Sequence, residues 1–204
     1  MKSLILLLIS ISYIVAGQYD KVKITPDMAY IYVYHKGKAV KVHREQDTKH
    51  KLTGEYAKTY RPGKDIQPIK INDDVKTIGE VELLHFIKDK GNTGKGILID
   101  LRTKDNYAKE SIPSAINIPF RVKDNPEKIS KVMQILGAKI ANDGSWDTSE
   151  AMDIVFYCNG LWCDKSARFI KMFLELGYPA KKMLYYRGGF QMWKILGFTT
   201  VINK

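Results

Sequence analysis

"DIVFYCNGLWCDKSARFIKMFLELG", residues 153–177, carries the reading of the whole chain. Its first five residues are a short apolar run, the mark of a strand covered on both faces. Its last twelve, from Ser166, read as an amphipathic helix closed by Gly177. Between them lies "YCNGLWC" (157–163), which holds both cysteines of this 204-residue chain. Cys158 directly follows the strand and the helix begins near Ser166. Both thiols therefore sit on a tight strand-to-helix loop at the carboxyl edge of a sheet, where open α/β sheets place their ligands.

The flanking sequence supplies the rest of that sheet. "GILID" (96–100) and "MLYY" (183–186) are further short apolar strands. "TIGEVELLHFIKDKG" (77–91) has Ile78, Val81, Leu83, Leu84 and Ile87 at helical spacing and ends on Gly91. "DNPEKISKVMQILG" (124–137) reads as a helix with Pro126 in its first turn and Gly137 at its end. "FQMWKILG" (190–197) is a last helix. Strands alternating with helices give an α/β domain with a mostly parallel sheet over residues 72–204. Ahead of it, residues 18–71 form a β-rich extension. "MAYIYVYHKGKAVKVHRE" (28–45) alternates around Lys36-Gly37-Lys38 and predicts a β-hairpin turning on Gly37. Tyr30, Tyr32 and Tyr34 share one face of it and Ala29, Ile31 and Val33 the other. The tyrosines read as packing residues. "KLTGEYAKTYRPGKDIQP" (51–68) reads as an irregular connector.

Leu4 to Tyr19 carries no charge and follows a short basic start. It is shorter than the roughly 20 residues of a spanning helix. It suits the apolar core of a secretory signal, residues 1–17, with Val15-Ala16-Gly17 as small residues before a cleavage at Gln18. The expectation is an exported chain, soluble after processing, with no stable membrane insertion. The competing reading is an uncleaved N-terminal anchor. The formal net charge of +11 comes mostly from scattered lysines. Without a concentrated basic run or a recognition motif it does not predict nucleic-acid binding, though it attracts small anions. His35, His43, His50 and His85 show no ligand spacing, so neither metal nor cofactor is assigned.

The cysteine pair is five positions apart, which is wrong for a Cys-x-x-Cys zinc or dithiol site. A bond across so short a loop constrains little of the unfolded chain, so a staple is a poor explanation. Loop amides and the positive end of the following helix both favour negative charge at this point. A thiol placed there is partly thiolate, the form that acts as a nucleophile.

Three ordered segments resemble the rhodanese family. "ILIDLRTKDNYAKESIPSAINIPF" (97–120) resembles its Asp-x-Arg strand and the "HIPGAINIP"-like segment after it. "VFYCNGLWCDKSARFIKMFLELGY" (155–178) resembles its catalytic strand, loop and helix. "YRGGFQMWKILGF" (186–198) resembles its Gly-Gly-x-x-x-Trp signature. The loop wording is similar to that of exported bacterial single-domain members. The resemblance implies a rhodanese-like parallel sheet flanked by helices, here with an N-terminal hairpin extension. It also implies a sulfurtransferase, in which Cys158 takes sulfane sulfur from thiosulfate or another persulfide donor and passes it to a thiophilic acceptor. Asn159, Gly160, Leu161, Trp162 and Asp164 would belong to the anion-binding loop whose amides surround the sulfur. Two departures stand out: Ser111 and Ser114 replace the family's His and Gly, and Cys163 occupies a position where many members carry Arg, Lys or Ser. Cys163 is either a resolving thiol that attacks a Cys158 persulfide or a buried, inert cysteine.

Among the supporting residues, Asp100 and Arg102 read as an ion pair bracing the loop edge. Arg187 and Arg168 add positive potential. Trp162 either walls the pocket or packs. Two rival functions remain. A phosphatase on this fold needs a longer loop ending in Arg, whereas Asp164 here repels phosphate. A thiol/disulfide redox or sulfur-binding module would use the Cys158/Cys163 pair without turnover of its own, its hairpin region docking an exported protein partner.

Overall fold

The computed structural model describes residues 22–47, 49–57 and 71–203. The expected signal segment and most of the Pro/Gly-punctuated connector lie outside the described residues. The hairpin consists of β1 (Tyr30–His35) and β2 (Lys38–His43), antiparallel, with His35 opposite Lys38. Lys36 and Gly37 both have positive φ, at 48° and 74°. That is the pattern of a two-residue turn whose twist matches the flanking strands.

The main sheet is built from β3 (Lys76–Ile78), β4 (Gly96–Asp100) and β5 (Ile116–Asn117), followed beyond a small antiparallel ribbon, β6 (Lys139–Ile140) and β7 (Trp146–Asp147), by β8 (Asp153–Tyr157) and β9 (Met183–Tyr186). Its five strands are ordered β3-β9-β8-β4-β5 and every pairing is parallel. The helices are α1 (Glu80–Phe86), extended by a wider turn over Ile87–Gly91, then α2 (Lys104–Lys109), α3 (Pro126–Ile135), α4 (Lys165–Glu175) and α5 (Gly189–Ile195).

Both faces of the sheet are covered, which is why β8 has no polar alternation. Ile154 and Phe156 point into a cluster with α3 and α4, where Phe169 and Phe173 stack at 5.1 Å and both meet the Phe156 ring. Val155 and Tyr157 point the other way, into a cluster with Leu83 and Leu84 of α1, Phe190 and Trp193 of α5, and Ile31, Val33 and Val42 of the hairpin. The hairpin thus supplies part of the core.

Three sequence expectations need correcting. Residues 76–78 form an edge strand, so Ile78 lies on β3 and the helix starts only at Glu80. A three-residue exposed edge offers no alternation to detect. The tyrosines do not pack: Tyr30, Tyr32 and Tyr34 are 44–60% exposed, while Ile31 and Val33 are buried. The face that could bury fully was the aliphatic one, since a buried phenol needs a partner for its hydroxyl. Four short elements, α2, β5, β6 and β7, also escaped notice; α2 buries no residue and each of the three strands is two residues long.

The hairpin is tied to the rest through buried His35. Its Nδ1 accepts the Ser114 backbone N–H at 3.1 Å, so Nε2 carries the proton and donates to Asn203 Oδ1 at 2.6 Å. Ser114 stands where the family pattern has Gly, and its φ of 74° explains the pattern's preference. At the other departure, buried Ser111 accepts from Asn203 Nδ2 at 2.8 Å. Burial, reinforced by Lys36 against the Asn203 bond, holds the His35 pKa below its ordinary 6.5. The neutral ring is therefore favoured by folding. Its contribution to stability is complete above about pH 6.5 and is lost as pH falls through the lower folded value, at no more than about 1.4 kcal/mol per pH unit. Between about pH 7.5 and pH 5, the melting temperature of the wild type should drop further than that of His35→Gln. Parallel profiles for the two proteins would exclude His35 as the titrating group.

Candidate active site

The loop leaving β8 is held from three sides. From below, the Leu101 amide donates to the Tyr157 carbonyl at 3.0 Å and keeps the β4 edge against the strand end. From the side, the N-terminus of α5 reaches into the loop. The Phe190 amide donates to the Cys158 carbonyl at 2.9 Å and the Gln191 amide to the Asn159 carbonyl at 2.8 Å. From within, the Cys163 amide donates to the Gly160 carbonyl at 2.9 Å and closes a turn. The Cys163 amide thus serves the loop's own turn.

This clamp requires glycines. Gly189 has φ +62°, and a Cβ there would lie 2.6 Å from the Cys158 carbonyl oxygen and 2.8 Å from the Gly160 nitrogen. Both neighbours are backbone, so relief means moving the loop. At Gly160 a Cβ would meet the Trp162 ring at 2.5 Å, because the indole folds back over its own loop. The Trp162 ring thus lies against Gly160 of its own loop. Gly189→Ala should lower the unfolding free energy by about 2–4 kcal/mol in urea titration, from backbone strain together with overpacking. Gly37→Ala, in open space at similar φ, should cost only about 1 kcal/mol. Equal losses at the two positions would sink the clamp.

Cys158 and Cys163 are bonded to each other as a disulfide, with their Cα atoms 6.4 Å apart, and both are nearly buried. The curvature of the loop alone brings the two within the range of about 4.4–6.8 Å that such a bond needs. Asn159 and Leu161 are half-buried beside them, and Asp164 is exposed as the residue preceding α4. Two buried polar atoms of the loop region, Asn159 Oδ1 and Ser166 Oγ, make no hydrogen bond to protein. Ser166 is in the first turn of α4, so its hydroxyl is an uncommitted donor at the helix's positive end.

Beneath the loop lies a closed polar network. Asp100 and Arg102 are 0% and 1% exposed. The guanidinium binds the carboxylate through Nε at 3.0 Å and a terminal nitrogen at 2.6 Å, and also reaches Tyr56 Oη and the Glu110 carbonyl. Its plane lies 4.0 Å from the Phe190 ring centre. Tyr157 Oη donates to Asp100 at 2.7 Å. Burial, and then the Asp100 carboxylate, hold the Tyr157 phenol well above its ordinary pKa, so it remains a donor. The expected bracing pair is present in this form, and it faces the scaffold. Arg187 is half-buried just past β9; continuing the register of Phe156 with Tyr185 sets it level with Cys158. Arg168 points outward, 3.8 Å from Asp164.

The sequence reading missed Tyr157, Tyr56 and Ser166. Tyr157 had a visible signal, a lone polar tip ending an apolar strand. Tyr56 had none, because it reaches Arg102 from 46 residues away.

A family model described as a rhodanese-like domain matches residues 82–196. Solved structures are similar at low identity. The rhodanese-related protein from Thermoplasma volcanium is 19% identical at a TM-score of 0.41, over 63% of this chain and 99% of that one. A Saccharomyces cerevisiae protein described as a homologue of single-domain rhodanese and of the Cdc25 phosphatase catalytic domain is 17% identical at 0.45, over 60% and 82%. A rhodanese with anions from Escherichia coli is 24% identical at 0.35, over 53% and 99%. A comparison with curated proteins returned no match.

Proposed function

The chain belongs to the rhodanese-like domain family, and from that premise we propose that it is a sulfurtransferase whose reduced Cys158 is the sulfur-accepting nucleophile. The observation that carries the reading is the position of Cys158, directly after β8, on the loop that runs into α4 and with its carbonyl accepting from the first turn of α5. In the proposed step the Cys158 thiolate attacks the outer sulfur of thiosulfate. A Cys158 persulfide forms and sulfite leaves with the electron pair of the broken S–S bond. Thiolates are strong nucleophiles toward divalent sulfur. The terminal persulfide anion is favoured by the helix ends and by the Ser166 hydroxyl.

The disulfide favours a resolving role for Cys163 within the same reading. The Cys163 thiolate attacks Cys158 Sγ, the persulfide bond breaks, and the departing sulfur takes a proton to leave as hydrosulfide. The pair is then oxidised, and an external dithiol must reduce it before another cycle. The same requirement supports the second reading, a thiol/disulfide module that exchanges electrons with a partner. We place the processed protein in an exported compartment, on the strength of the charge-free run Leu4–Tyr19.

Intact-mass measurement tests the proposal. Reduced, reductant-free protein treated with one equivalent of thiosulfate should release sulfite and hydrosulfide and end two hydrogens lighter. Protein treated as the oxidised form should take up nothing. Reduced protein that yields no sulfite and keeps its mass unchanged would refute sulfur transfer.

A further inference from the structure

Beside the catalytic loop, at the same edge of the sheet, runs an open groove of about 690 Å³. Its floor begins at Leu101, whose amide holds the Tyr157 carbonyl, and continues over Pro119 and Phe120. Its walls carry Lys104, Arg121, Lys123, Lys165 and Arg168. Lys165 is two residues beyond Cys163. Asp124 is the one carboxylate among the described lining residues, and Lys123 already engages it at 2.5 Å. Arg168 and Asp164 are both more than half exposed, so that pair restrains the arginine little. Arg168 and Lys123 instead lie over the Phe120 ring, at 5.0 Å and 5.3 Å from its centre.

We propose that this groove docks an acidic segment of a protein thiol, one whose carboxylates alternate with apolar side chains, and so presents that protein's cysteine to the Cys158/Cys163 pair. Charge decides the sign of the occupant: five cations face a single, already engaged carboxylate. Size decides the class. A groove of this volume matches a ligand of drug size or several side chains, far more than a small sulfur anion fills. An inorganic anion also has no use for a floor of Leu101, Pro119 and Phe120. An acidic segment with apolar side chains satisfies walls and floor together, and its long-range attraction speeds encounter at low salt.

The identity of the partner as a thiol protein rests on the sulfur-transfer reading, whereas the docking does not depend on turnover. Binding is therefore measured on Cys158→Ser, which cannot accept sulfur. The probe is a fluorescein-labelled peptide of about ten residues alternating Glu with Leu, and the readout is anisotropy against protein concentration at two salt concentrations. Lys104→Glu/Arg121→Glu should weaken binding by about tenfold or more and flatten its salt dependence. Lys88→Glu/Lys131→Glu, with the same change in net charge on remote exposed positions, should stay within about twofold. Equal weakening by both pairs would reduce the effect to overall charge and overturn the site. Displacement of the peptide by equimolar thiosulfate or glutathione would overturn it in favour of a small-anion site. Loss of sulfur loading in the wild type with peptide binding intact would remove the sulfur reading and leave the groove as a docking surface.

Discussion

Cys158→Ser should take up no sulfur from thiosulfate, while Cys163→Ser should take up one sulfur atom and keep it. This is the largest difference expected between any two single variants of the chain. It follows from position: Cys158 directly follows the buried strand and is held by the first turn of α5, whereas the Cys163 amide is spent on the turn to Gly160. Without a second thiol at position 163 nothing within the loop can attack the persulfide, so the loaded Cys163→Ser protein should persist until an external thiol is added. The wild type should instead pass quickly to the disulfide and release hydrosulfide. Intact mass at successive times, with a colorimetric assay for sulfide, distinguishes the cases. Uptake by Cys158→Ser, or equal persistence of the persulfide in wild type and Cys163→Ser, would contradict the assigned roles.

Arg102→Met should cost about 3–5 kcal/mol, because it leaves the Asp100 carboxylate buried without a counter-charge. The side chains are 1% and 0% exposed, so water cannot substitute. The network also fixes Tyr157, the residue before Cys158, through its hydroxyl bond to Asp100. Sulfur loading should therefore slow in proportion to any displacement of the loop. Asp100→Asn strands the guanidinium in the same way. The double variant should lose less than the two single losses together, by more than about 1 kcal/mol, since each single change already breaks the shared bond. Urea unfolding of the four proteins closes the cycle. Additive losses would mean that the pair is no functional unit despite its geometry.

The contrast between the two partners of Arg102, Asp100 two residues away and Tyr56 46 residues away, shows where sequence reading stops. GILID, DIVFY and MLYY were legible as strands because helices on both faces make them uniformly apolar, and α4 was legible because only one of its faces is buried. The loop cysteines followed from their place between two legible elements. The edge strand β3 was not legible, since three half-solvated residues next to a helix extend its apparent period. The role of Tyr56 was invisible for a different reason. Its partner is distant in sequence, and its ring meets Phe190 edge-on at 5.1 Å through tertiary packing alone. The tyrosine stripe of β1 misled because β-propensity says that a residue suits a pleated surface, not which side of the surface is wet.

The bonds between the chain's two described ends bear on how the protein is made. Thr199 pairs with His43, Gly197 with Glu45, and Asn203 with His35. These partners are far from the hairpin in sequence, and its aliphatic face packs on Phe190 and Trp193 of α5 as well as on Leu83 and Leu84 of α1. Contacts across such separations are slow to form, because loop closure precedes any gain from pairing. A chain in which Phe190, Trp193 and Phe198 have not yet docked leaves part of the face of Ile31, Val33 and Val42 open, and exposed apolar surface of that kind is what makes partly folded chains prone to associate.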